Sequence, residues 1–170
     1  MRQHSSSAAA PAGSSVVPVT TPPQPRTRTE RRRDTEQRLA HDVDAWVATA
    51  SASGDPYLVP LSFHWDGETV LLSTSPQNPT GRNFEATGSI RLGLGLARDV
   101  TMIDGDVEVL ELDALPTGRA DAFAARAGFD PRRSRGTMRW YLVRPREIQG
   151  WREVDELAER QLMRDGHWLD

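Results

Sequence analysis

The amino-acid sequence predicts a mainly β domain, an antiparallel barrel of six or so strands with short α-helices at its periphery. Two observations carry that prediction. Residues 57–65 and 89–96 alternate between apolar and polar side chains with the period of a strand. The extended segments are joined by tight turns or short helices in meander order, not by the long crossovers that a parallel sheet requires. A small barrel fills its interior with its own side chains, so any ligand of this domain must lie on its outer surface.

At 170 residues the chain has room for one domain with a core of its own. Residues 1–25 are Ser, Ala, Pro, Thr and Val with prolines at 11, 18, 22, 23 and 25, and show no apolar periodicity. Arg26, Arg28 and Arg31 to Arg33 add a basic run. The expectation is therefore a disordered tail with a basic end over 1–33 and a folded domain over 34–170. The charge divides the same way, with residues 1–33 at +5 and the remainder at −8 within a total of −3. No aromatic residue is interleaved with the arginines to stack bases, so the run reads as solvated charge and not as a nucleic-acid site.

The absence of cysteine excludes a disulfide framework, a thiolate nucleophile and a cysteine-ligated metal. Histidines at 4, 41, 64 and 167 have no paired ligand spacing, so no metal site is expected. The apolar runs are too short to span a bilayer. The arginine run is followed by Asp34-Thr-Glu-Gln37 and not by an apolar signal segment, which points to the cytoplasm.

Taken in order, 34–42 reads as a polar helix around Leu39, and 44–51 as the first strand. A turn at 52–56 leads to 57–65, where Tyr57, Val59, Leu61, Phe63 and Trp65 share the core face. Asp66-Gly67 suits a two-residue hairpin into a strand over 68–74. Asn78-Pro79 starts a short helix that runs to about Ala86 before Gly88. In 89–96, Gly93 and Gly95 leave the second face bare, which implies a bend or a close backbone neighbour. Asp104-Gly-Asp106, within 99–112, suits a hairpin turn or a glycine bulge in one long strand. The acidic series Asp104, Asp106, Glu108, Glu111 and Asp113 lacks calcium-loop spacing and reads as solvent-facing charge. Pro116 to Ala127 is a helix anchored by Phe123 and closed by Gly128, and 131–135 is a basic loop. A strand over 138–151 passes Pro145, and 153–163 reads as a helix with Val154, Leu157 and Leu162 on one face.

The chemistry of the chain gathers in one stretch. Ser73, Thr74 and Ser75 end a strand, and the N-terminus of the helix starting at Pro79 points back at those hydroxyls. A helix N-terminus offers unpaired N–H groups and partial positive charge, Gly81 admits close backbone approach, and Arg82 adds a fork of donors. The stretch is either an anion cradle or an ordinary strand, turn and helix whose hydroxyls merely cap.

This stretch resembles the pyridoxamine 5'-phosphate oxidase-like superfamily, split β-barrels that bind FMN or the deazaflavin coenzyme F-420. The resemblance rests on Pro60 at the centre of its strand, on Ser73-Thr74-Ser75, and on Thr80-Gly81-Arg82-Asn83-Phe84. It covers the chain from about Asp42 onward. It departs at Thr80, where many members carry a lysine; this chain contains no lysine. The resemblance implies a split barrel with one long strand bulged at Gly105. It implies a homodimer whose cofactor groove lies between subunits, with Ser73, Thr74, Ser75, Thr80, Gly81, Arg82 and Asn83 on phosphate or ribityl oxygens. Pro60, Leu61 and Ser62 would run beside the ring, and Trp151 would border the site from the partner chain. The activity implied is an oxidoreductase that moves hydride between cofactor and a small organic substrate. The alternative is a non-catalytic module of the same fold that holds a flavin, a haem or another planar ligand.

Overall fold

Six antiparallel strands close on one another: β1 (Asp44–Ala50), β2 (Pro56–Trp65), β3 (Val70–Thr74), β4 (Ser89–Leu96), β5 (Asp99–Leu110) and β6 (Arg139–Arg152). The structure, a computed structural model, describes residues 24–170. The strand order is β3-β2-β1-β4-β5-β6, and β6 returns to β3 through pairs from Val70–Val143 to Thr74–Arg139. Inward-facing residues such as Val47, Phe63, Leu72, Leu92, Ile103 and Val143 pack together in the interior as one buried core. The alternation over 57–65 and 89–96 reports an inside and an outside at Phe63, Ile90, Leu92 and Leu94, but Tyr57 and Leu96, in phase with them, are exposed.

Each end of the barrel is plugged by a helix. α2 (Pro79–Thr87) lies where β3 finishes and β4 begins, and inserts Phe84 into the core. α1 (Arg28–His41) lies at the opposite end, and inserts Leu39. α3 (Thr117–Ala127) covers the outer face of β2, β3 and β6 over a second apolar cluster of Leu71, Phe123, Trp140 and Leu142. It ends on Gly128 in the left-handed conformation, as expected. Among the described residues no helix is long and apolar enough to cross a membrane.

β5 is one long strand, and its register with β6 shifts between Asp104 and Gly105, so the bulge expected there is present. The acidic series is matched across the sheet: Asp104 pairs with Arg91, Asp106 with Arg146, Glu108 with Arg144 and Glu111 with Arg139. The bare face at Gly95 also has a cause. Its φ is +85°, and a Cβ there would sit 2.3 Å from the Asp99 carbonyl oxygen and 2.7 Å from the Arg38 guanidinium.

Three local expectations are corrected. The stretch 153–163 is not a helix: Val154–Glu159 form a 3-10 turn, and β7 (Gln161–Arg164) pairs with β8 (His167–Trp168). Asp165 and Gly166 both take positive φ in the turn between them, the Asp-Gly hairpin signal again. Leu162 thereby reaches the barrel core while Val154 stays exposed.

The first helix starts at Arg28, not Asp34, because Thr27 and Glu30 form a capping box with reciprocal bonds. Residues 26–33 are consequently folded onto the domain, and the expected tail as far as residue 23 lies outside the described residues. Arg26 gives its backbone N–H, Nε and Nη2 to the buried Glu156 carboxylate. The loop after β2 is longer than two residues, because Asp66 accepts the amides of Glu68 and Thr69 and delays β3 to Val70.

Candidate functional site

The residues singled out by sequence fall in two places. The first is the N-terminus of α2. Asn78 precedes Pro79, but its side chain donates to the Thr74 hydroxyl at 3.2 Å and does not cap the helix. Pro79 has no N–H, and among the described residues the amides of Thr80 and Gly81 have no partner. Arg82 is exposed and folds back to the Gln77 carbonyl, which lays its guanidinium along the same turn. Two amides without a partner, a helix dipole and the exposed Arg82 guanidinium thus gather at one turn, although Thr80 and Gly81 are themselves buried, and together they form a donor set suited to an anion.

Other members of the motif are engaged within the chain itself. Ser73 donates to the Arg139 carbonyl at 2.9 Å, and Thr74 is spent on Asn78. Asn83 donates to Thr49 on β1 at 2.9 Å, which fastens α2 to the barrel. Thr80 is 2% exposed, so the position at which the family resemblance leads one to expect a lysine is closed here. Ser75 is half-buried and accepts the Gln77 amide at 3.2 Å. Gly81 does admit a close backbone, but the backbone is this chain's own: a Cβ would lie 2.3 Å from the Ser75 carbonyl oxygen and 2.7 Å from Pro76 Cα.

The second place is a groove on the outer face of β1, β2, β4 and β5. An apolar cavity of about 380 Å³ is lined by Trp46, Leu58, Gly93, Leu96 and Met102. It adjoins a more polar one of about 530 Å³ edged by Arg38, Asp44, Pro60 and Asp99. Trp46, Leu58 and Leu96 are 55%, 58% and 78% exposed, an unusual set of large apolar groups left in water. Pro60 stands opposite Trp46 in the β1–β2 register. Trp151 stands opposite Val100, which lines the apolar cavity, and carries the Arg160 guanidinium 5.7 Å above its ring. Leu61 turns into the core, and Ser62 donates to Asp44 at 2.6 Å.

Within one chain these two places are not joined. Between them, Thr49 holds Asn83 and lines a further cavity with Arg91 and Asp104. His64 lies away from both places, under α3 with Ala122, Ala125 and Arg126. Burial lowers the pKa of its ring, and Arg126 and Arg119 add to that against the opposite pull of Asp66. No group of three or more His, Asp or Glu side chains suited to a metal ion occurs among the described residues.

Sequence reasoning overlooked Trp46, whose alternation with Ala45 and Val47 gives no sign of which aromatic is left outside. It also overlooked Tyr141, an aromatic in a strand, whose hydroxyl ends under α2.

Comparison with known proteins agrees with this architecture. The family model described as pyridoxamine 5'-phosphate oxidase matches residues 35–152. No curated protein sequence matches the chain significantly. Among solved structures, an F420 reductase superposes with a TM-score of 0.56 at 21% identity, over 66% of this chain and 94% of its own. The heme storage protein HutZ from Vibrio cholerae superposes with a TM-score of 0.57 at 12% identity, over 71% and 94%. A putative pyridoxamine 5'-phosphate oxidase from Listeria innocua does so with a TM-score of 0.57 at 12% identity, over 69% and 95%. At these identities the structures establish a shared fold.

Proposed function

The chain belongs to the pyridoxamine 5'-phosphate oxidase family, and from that premise we propose that it is a cytoplasmic flavin- or deazaflavin-dependent oxidoreductase. It would hold FMN or F-420 and move hydride between that cofactor and a small organic substrate. The observation that carries this reading is the uncapped N-terminus of α2, where the Thr80 and Gly81 amides stand beside the Arg82 guanidinium. These donors suit a phosphate group. Ser75 is the strand-end hydroxyl best placed to join them. When bound, the cofactor supplies the hydride chemistry; the chain's residues bind and orient it and exclude water.

We propose further that the site is completed by a second copy of the chain. The barrel interior is occupied by the core side chains, and the exposed Trp46, Leu58 and Leu96 form the apolar centre of a face that a homodimer would cover. Pro60 and Trp151 lie on the rims of that face, where a ring could be sandwiched between subunits.

A second reading is a non-catalytic module for haem or another planar ligand. It is favoured by the closed position at Thr80, which removes the usual phosphate-binding base, and by the likeness to a heme storage protein. Absorbance of the purified protein, followed by fluorescence titration with FMN, riboflavin and F-420 and by difference spectroscopy with haemin, separates the two. Binding of haemin with no binding of either flavin-type cofactor would remove the oxidoreductase reading.

A further inference from the structure

Tyr141 lies on β6 directly beneath α2, fully buried, with its ring 4.8 Å from that of Phe84. Among the described residues its hydroxyl has no hydrogen-bond partner. A buried hydroxyl left in this state costs about 1–3 kcal/mol, and a phenylalanine would fill the same space without that cost. Burial, the main influence, together with the nearby Glu85 and Glu111 pushes the phenol up to about 12, so the O–H stays a donor at any ordinary pH.

The hydroxyl is aimed at the root of the cradle. A methyl group placed on Gly81 would lie 2.9 Å from the Tyr141 oxygen and 2.3 Å from the Ser75 carbonyl oxygen, so both atoms converge on one point without bonding each other. The Ser75 carbonyl accepts only the Asn78 amide, at 3.1 Å, and keeps a second lone pair. The Gln77 amide is tied to the Ser75 hydroxyl, so residues 75–78 form a small unit that can shift together.

We propose that Tyr141 is a positioning residue of the anion cradle, its O–H donating to the Ser75 carbonyl when a phosphate group on the Thr80 and Gly81 amides draws the Ser75–Asn78 turn inward. Two unsatisfied features of the chain alone, the orphan hydroxyl and the bare amides, are then satisfied by one event. The inference rests on the phosphate reading given above and adds to it the residue that couples the turn to the barrel.

The test is Tyr141→Phe in the full chain, titrated with FMN and riboflavin, and with F-420 and its phosphate-free deazaflavin core. The expected result is roughly fivefold to tenfold weaker binding of the phosphate-bearing ligand, the effect of one net hydrogen bond, with the phosphate-free ligand unchanged. The ligand-free variant should melt at or above the wild type. Equal weakening for both ligands, no weakening for either, or a lower melting temperature without ligand overturns the proposal. If the wild type itself does not distinguish the phosphate-bearing from the phosphate-free ligand, the cradle reading falls and takes this one with it. If the wild type distinguishes them and Arg82→Ala abolishes the difference while Tyr141→Phe preserves it, only the role of Tyr141 is lost.

Discussion

Asn83 Nδ2 donates to the Thr49 hydroxyl at 2.9 Å, and this bond, buried at both ends, fastens α2 to β1 across the end of the barrel. Asn83→Leu leaves the Thr49 hydroxyl without a partner and should lower the unfolding free energy by about 1–3 kcal/mol. Adding Thr49→Val should recover part of that loss, because both halves of the pair are then apolar. Urea denaturation of the two single variants and the double variant measures this; strict additivity would show that the bond is not formed.

Arg82 differs from its neighbour in being exposed, so removing it should affect the ligand and spare the fold. Arg82→Ala should weaken a phosphate-bearing cofactor about tenfold to a hundredfold, the worth of a charge-assisted hydrogen bond. The melting temperature should not change. Unaltered affinity in a fluorescence titration would remove the cradle.

Leu58 is the test of the outer face. Leu58→Asp places a charge among Trp46, Leu96 and Met102 and should convert a dimer to a monomer in size-exclusion chromatography with light scattering. Cofactor affinity should fall with it if the groove is shared between subunits. A variant that stays dimeric would place the interface elsewhere.

Glu156 should set the acid limit of stability. Burial pushes its carboxyl up, but the Arg26 guanidinium, with the Arg26 and Arg152 amides, outweighs that and holds it at about 2, against an ordinary 4.5. Because the folded value lies below the unfolded one, the stabilisation is complete above about pH 4.5 and is lost as pH falls toward 2. It amounts to roughly 3 kcal/mol. Glu156→Gln should flatten the stability profile across that window, and Arg26→Ala, which strands a carboxylate only 3% exposed, should cost about 3 kcal/mol or more at neutral pH. Thermal melts from pH 2 to 7 check both; an unchanged acid limb in Glu156→Gln would refute the assignment.

The parts of the fold legible in the sequence were those whose signal is local. Alternation marked β2 and β4, Asn78-Pro79 and Gly88 bracketed α2, and Phe123 with Gly128 marked α3. The bulge at Gly105 was not decidable from the dipeptide alone and came from the family resemblance. The C-terminal error arose because Val154, Leu157 and Leu162 mimic a helical stripe, while Asp165-Gly166, which in fact sets the structure there, lies just beyond it. The early start of α1 was readable in Thr27 and Glu30 but hidden by the arginines between and around them. At the candidate site the spacing located the helix terminus, yet not the direction in which each hydroxyl turns. Ser73 and Thr74 lie on opposite faces of β3, both of them covered, so each is spent within the chain, Ser73 on the Arg139 carbonyl and Thr74 on Asn78, and Tyr141 belongs to a strand distant in sequence.

Barrel closure through β3 and β6 has a consequence for how the protein is made. β3 is complete at Thr74, but its partner ends at Val143 in their shared ladder, so one edge of β3 must wait for the rest. At about 5–20 residues per second of synthesis that wait is roughly 4–15 s. During it, Val70 to Thr74 presents an unpaired apolar edge that a neighbouring nascent chain can extend. Substitutions in β6 that slow the final pairing should therefore show themselves first as insoluble protein on expression, at a point when the finished barrel, once formed, would still be stable.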